Sequence, residues 1–241
     1  MSNKSVVKGE ENLPDFLRGH MNDNRGSEEV RAGDMVIPRI ELVQSLSACR
    51  KKNDPSYIPG AEEGMLYNNI TRELYGESVN VIPVYFRLEY LLWRDQKLGG
   101  GFGGSFPDVQ SASDALRDME KPDEWEVVDT NQHFVLLVKE DGELEEAVLS
   151  LARTKAKASR KWNSLIRLNG GPRFSRVYKL TGVPEQNSAG QDYFNIAVSN
   201  VGFVTKEQFK RAEAVYDLIK SGAVSVDRSD DGQFHEVEEE I

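Results

Sequence analysis

Val79-Asn80-Val81-Ile82-Pro83-Val84-Tyr85-Phe86-Arg87-Leu88-Glu89-Tyr90-Leu91-Leu92-Trp93-Arg94 is the stretch whose reading decides the fold. It is rich in β-branched and aromatic residues, the mark of a strand. Side chains alternate across a strand. One face therefore carries Ile82, Val84, Phe86, Leu88, Tyr90 and Leu92 and packs a core. The other carries Val81, Pro83, Tyr85, Arg87, Glu89, Leu91 and Trp93, mixing aromatics with charge. A strand this long bends or carries a bulge, and Pro83 is the candidate position.

Further strands are expected on both sides. Before the long strand come residues 35–43, with Pro38 at an edge, then Met65-Leu66-Tyr67 and, after a turn at Asn68-Asn69, residues 73–76. After it, residues 125–128 and 133–138 read as two strands with a turn at 129–132. Asp141-Gly142 is a tight-turn signal, and Ala147-Val148-Leu149 continues the meander. Residues 176–183 and 193–204 are the last strands. Helices are expected at 111–119 (short), at 153–168, stopped by Asn169-Gly170-Gly171-Pro172, and at 206–220, capped by Thr205. The fold class is mainly β with two main helices, α+β. Curved strands with a helix late in the order suit a partly open barrel of the OB-fold type. Residues 1–33 read as a disordered arm, 34–222 as the domain and 223–241 as an acidic disordered tail.

The charge is unevenly spread. Net charge is −10 over 241 residues, which by itself argues against a general nucleic-acid binder. Yet residues 147–184 contain no Asp or Glu and carry Arg153, Lys155, Lys157, Arg160, Lys161, Arg167, Arg173, Arg176 and Lys179. Residues 227–241 hold seven acids against Arg228. On a helix at 153–168, Arg153, Lys157, Arg160, Lys161, Ser164 and Arg167 share one face, and Ala158, Trp162, Leu165 and Ile166 the opposite one. Such a face is either a solvated amphipathic surface or a phosphate contact; with no acid to pair its cations, phosphate is favoured. Flat rings interleave with the cations. Tyr85 and Trp93 flank Arg87, and Phe174 lies between Arg173 and Arg176, so these rings are the candidates for stacking on bases.

Enzyme chemistry finds little footing. His20, His133 and His235 have no metal-ligand spacing, and His133 reads as a strand-surface residue. Cys49, the single cysteine, reads as a buried or inert thiol. Residues 99–104 are glycine-rich but lack the Gly-Lys-Ser/Thr of a phosphate loop, so they read as a mobile connector. No cofactor and no metal are expected. No apolar run approaches a membrane span and no apolar leader opens the chain, which points to a cytoplasmic protein.

Several segments resemble single-stranded DNA-binding proteins of tailed bacteriophages. They are Val36-Ile37-Pro38-Arg39-Ile40, Tyr57-Ile58-Pro59-Gly60-Ala61, Val81-Ile82-Pro83-Val84-Tyr85 with Trp93-Arg94, Lys157-Ala158-Ser159-Arg160-Lys161-Trp162-Asn163-Ser164, and Tyr178-Lys179-Leu180-Thr181. The resemblance implies an OB-like core, sequence-tolerant binding of single-stranded DNA, and work inside an infected bacterial cell. It also implies an acidic tail that recruits a phage or host polymerase, helicase or nuclease. Here the tail would be Glu238-Glu239-Glu240-Ile241, ending in Ile rather than the aromatic residue of that class. The rival reading is a protein–protein adaptor or inhibitor that acts through its acidic surface and binds no nucleic acid. Oligomeric state stays open.

Overall fold

The computed structural model describes residues 25, 26, 28, 29, 37–187 and 190–221. The chain forms two compact units, Met1–Met35 and Val36–Ile241, and the architecture below is that of the second. The arm expected at 1–33 lies, but for four residues, outside the described residues, and so does the whole tail expected at 223–241. The fold is α+β and mainly β; the described residues form two antiparallel sheets, neither closed, and three α-helices.

The axis of the domain is β4 (Ser78–Arg94), 17 residues long. Beside it runs β6 (Trp125–Val138), in register from Asn80↔Val138 to Arg94↔Trp125. The register slips between Pro83 and Tyr85, leaving Val84 as an extra residue on β4. The bulge expected near Pro83 is there, and it corrects the assignment of faces. Ile82 and Val84 pack under α3 (Lys206–Lys220), but Phe86 does not follow them. Past the bulge Tyr85 turns to that side, against Phe134. Phe86 turns to the opposite side, against His133. An extra residue in a period of two exchanges every later side chain between faces.

The main sheet runs β7-β6-β4-β8-β9, with β7 (Leu144–Ala152), β8 (Arg176–Gln186) and β9 (Asp192–Phe203). Helix α2 (Ala156–Asn169) connects β7 to β8, and its Trp162 is fully buried against one face of the sheet. On the opposite face α3 buries Ala212, Val215 and Ile219. Thr205 and Gln208 form the capping box that starts it.

Two expectations fail here. Residues 129–132 are not a turn: β6 passes straight through them, because β4 pairs with it along its whole length. Two of their polar side chains bond to β7: Asn131 Nδ2 donates to Leu151 O, and Gln132 Oε1 accepts from Ser150 Oγ, while Gln132 Nε2 is enclosed with no hydrogen-bond partner among the described residues. The glycine-rich segment is not merely a connector either. Its second half is β5 (Phe102–Phe106), paired with Tyr90 to Trp93 of β4. A Cβ on Gly103 would lie 2.7 Å from the Trp125 ring and 3.0 Å from Leu92. The glycine is needed so that the indole can lie on the strand. The short helix α1 (Val109–Arg117), capped by Asp108, follows.

Strands β7 and β9 do not pair with each other. The small sheet β1-β2-β3 (Ile40–Leu42, Leu66–Asn68, Leu74–Gly76) lies between them. Pro38 O accepts from Val148 N of β7 at 2.8 Å. On the other side the Gln44 carboxamide mimics a strand: Nε2 donates to Phe194 O at 2.7 Å and Oε1 accepts from Phe194 N at 2.9 Å. Backbones come so close there that a Cβ on Gly182 would sit 1.9 Å from Gly64 O. Gln44→Ala leaves a donor and an acceptor of β9 unanswered. The expected cost is about 1–3 kcal/mol, read as a melting point lower by roughly 2–10 °C. Gln44→Glu should be no better than alanine, since a carboxylate cannot donate to Phe194 O. Thermal unfolding of both variants checks this.

Candidate nucleic-acid interface

Helix α2 buries Ala158, Ser159 and Trp162 and exposes Lys157, Arg160, Lys161, Ser164 and Arg167. Gly170, at φ 65°, ends it as expected. Arg153 and Lys155 lie before the helix, in the 3-10 turn Arg153–Lys155. The basic face does not lack acids, as the composition of 147–184 suggested. Glu185, one residue beyond that stretch, meets Lys157 Nζ at 2.5 Å, and also accepts from Tyr193 and Asn195. That contact holds the Lys157 ammonium above its ordinary pKa range. Arg153 pairs with Glu126 of β6. Among the described residues Arg160, Lys161 and Arg167 have no such partner.

At the foot of this face lies Arg173, in the 3-10 turn Arg173–Ser175 that leads into β8. Its Nη1 donates to Asn163 Oδ1 at 2.9 Å and its Nη2 to His133 Nδ1 at 2.8 Å. The guanidinium stands over the Phe86 ring at 5.4 Å. All of these partners are neutral, and no carboxylate among the described residues answers the charge. Burial pushes the Arg173 pKa down to about 10. The group is still a cation at neutral pH. Asn163 sits between Arg160 and Arg167 at helical spacings of three and four, so the three cations surround one contact.

His133 corrects the strand-surface reading: it is fully enclosed. Its ring stacks on Trp162 at 4.6 Å and 9°. Because Nδ1 accepts from a guanidinium, Nε2 carries the proton and donates to Ser159 Oγ at 2.8 Å. Burial first, then the Arg173 charge, hold its pKa well below the ordinary histidine value.

The three candidate rings do not converge on this patch. Phe174 is buried against Phe209 and Tyr216, so it offers no open face. It belongs to the core under α3. Tyr85 lies in the same cluster, 5.9 Å from Tyr216. Trp93 is half-buried against Phe102, 5.3 Å away. It sits seven residues past Phe86 along β4, roughly 23 Å at strand rise. Arg87 leans over the Tyr85 and Phe134 rings and pairs with Glu89 at 3.6 Å. Arg176 reaches another ring, Phe203, with its guanidinium 4.0 Å from the centroid. The two are register partners at the start of β8 and the end of β9.

The family model described as the Pam3 phage gp34-like protein matches residues 7–225. The chain belongs to this family. No curated protein and no solved structure matches the gp34-like chain. Membership places it among phage proteins, the coarser part of the resemblance noted above, and the family's description names no activity. Among the described residues of the gp34-like chain no three His, Cys, Asp or Glu side chains group as a metal site. No described helix is long and apolar enough to cross a membrane. Cys49 is buried, as expected.

Sequence reading missed Asn163 and His133, which hold Arg173, and Phe203, which meets Arg176. Asn163 had a usable signal, its place midway between two cations on the helix. His133 and Phe203 had none, because their roles come from cross-strand register. The buried histidine has a consequence for pH. Its folded pKa lies below the unfolded value of about 6.5. The stability from its neutral contacts is therefore complete above pH 6.5 and lost as pH falls toward the folded pKa. The unfolding free energy should fall below pH 6.5 with a slope approaching ~1.4 kcal/mol per pH unit from this one group. Urea titrations at pH 7.5, 6.0 and 5.0 should show that component flattened in His133→Gln.

Proposed function

We propose that the chain binds single-stranded DNA without sequence preference, through the surface built from Arg160, Lys161, Arg167, Arg173 and Arg176. The observation that carries this reading is Arg173: a half-buried guanidinium with only neutral partners, among cations that no acid answers. An uncompensated charge held away from water costs several kcal/mol unless something pairs with it. A phosphodiester supplies that pair with two oxygens in the geometry a guanidinium prefers. The topology supports the same reading. An OB barrel opened between its third and fifth strands has the order seen from β7 to β9, with a helix between the third and fourth strands, where α2 lies. In this reading the protein covers single strands in an infected cell. The acidic tail at Glu238, Glu239, Glu240 and Ile241 recruits a phage or host polymerase, helicase or nuclease.

Lys155 is half-buried in its turn and has partners of its own, and Arg153 and Lys157 are held by acids, so the three are secondary to the patch. This ranking can be measured. Titration of labelled oligo-dT over a salt series should give a steep log–log slope. Arg173→Gln should weaken binding and lower the slope by about 0.7, the value of one single-strand phosphate contact. Lys157→Gln should change neither by more than experimental scatter. Equal effects of the two substitutions would mean that the cations act as a diffuse field rather than a site. Absence of binding by the wild type would favour the adaptor or inhibitor reading.

A further inference from the structure

We propose that Phe203 is a nucleobase-stacking platform, backed by Arg176, and that it makes the surface selective for unpaired bases rather than for polyanions in general. The proposal rests on the single-strand reading above and names the base contact that the cations alone do not supply. Phe203 is 75 % exposed at the end of β9, more open than the other exposed apolar strand residues of this sheet, Leu88 at 39 % and Val201 at 55 %. Single exposed apolar residues are common, so exposure alone would carry nothing. The ring, however, is held. Arg176 lies opposite it in the β8–β9 register and stands 4.0 Å from its centroid. Val204 N donates to Ser175 O immediately beyond, and Thr205 caps α3 one residue later, so the backbone on both sides of the ring is tied. Arg176 Nε is enclosed with no hydrogen-bond partner among the described residues, and no described carboxylate pairs with the group. The guanidinium is thus kept in place by the ring and its packing rather than by an acid.

The position is right for a strand crossing the patch. Arg176 is on the same face of β8 as Tyr178, whose hydroxyl accepts from Asn169 at the end of α2. Arg173 is three residues earlier in the chain. A phosphate on Arg173 and a base on Phe203 are therefore neighbouring demands of one short segment. The outer ring face stays open to a flat π-system, and a duplex offers none to it, since its bases are stacked on one another.

The test compares oligo-dT with an oligonucleotide of equal length whose residues are tetrahydrofuran abasic sites, at one salt concentration. Wild type should bind dT more tightly than the abasic strand. Phe203→Ala, at an exposed position that should fold normally, should lose about 5- to 100-fold for dT and leave the abasic affinity unchanged. Phe203→Trp should restore dT binding, with indole fluorescence quenched by dT and not by the abasic strand. Equal losses on both strands, or no loss on either while wild type still binds, would overturn the platform and leave the phosphate surface standing. A wild type that binds neither strand would overturn the single-strand reading and this proposal together.

Discussion

One extra residue governs which side chains meet in this domain. Val84 has no partner on β6, and beyond it the pleat of β4 is inverted relative to the residues before it. Without that slip Phe86 would lie with Ile82 under α3. With it, Phe86 joins His133 on the α2 side, and the two present an aromatic and a polar edge to Arg173 and Trp162. Tyr85 and Arg87 go to the other side, where Phe134 and Tyr216 receive them. Pro83, which cannot donate to a ladder, stands at the slip and makes regular pairing there the costlier alternative.

The electrostatic layout separates structural cations from available ones. Lys157 and Arg153 are spent on Glu185 and Glu126, and each contact ties an element around α2 to a strand of the sheet. Such pairs at the surface add little stability but fix geometry. Arg173 is the reverse case. It is positioned by Asn163 and His133, groups that orient a guanidinium without neutralising it. A site of this kind is preorganised: the cost of burying the charge is met on folding, and an incoming anion regains it.

Much of the fold was legible because it rests on local signals. The strand at 79–94 with its bulge near Pro83, the turn at Asp141-Gly142, the glycine stop after Asn169 and the Thr205 cap all depend on residues close in sequence, and they appear where expected, though the faces past the bulge are exchanged. The errors share a different origin. Residues 129–132 looked like a turn because four polar residues rarely sit inside a sheet, and pairing with β4 on one side and, from Thr130 onward, with β7 on the other keeps them there. Phe174 looked like a platform because it lies between two arginines, yet α3, some forty residues later, covers it. Glu185 escaped the charge count because pairing with Lys157 needs the β8–β9 hairpin to curl back over α2. The basic helix could be seen in the sequence. Which of its cations are already occupied could not, since that is settled by contacts across the sheet.

The closure of the sheet by Gln44 has a consequence for how the chain is made. Its partner Phe194 lies 150 residues downstream. Synthesis proceeds at roughly 5–20 residues per second, so about 8–30 s separate the appearance of the two. Through that interval β1 waits for the strand that completes the seal, while β2, β3 and finally β7 are added one after another. The nascent chain carries an open strand edge for as long, and an edge is a template for pairing with any other chain. A fold closed by its own N-terminal segment thus trades late completion, and a period of exposure to aggregation, for a seam that is locked once the last strand arrives.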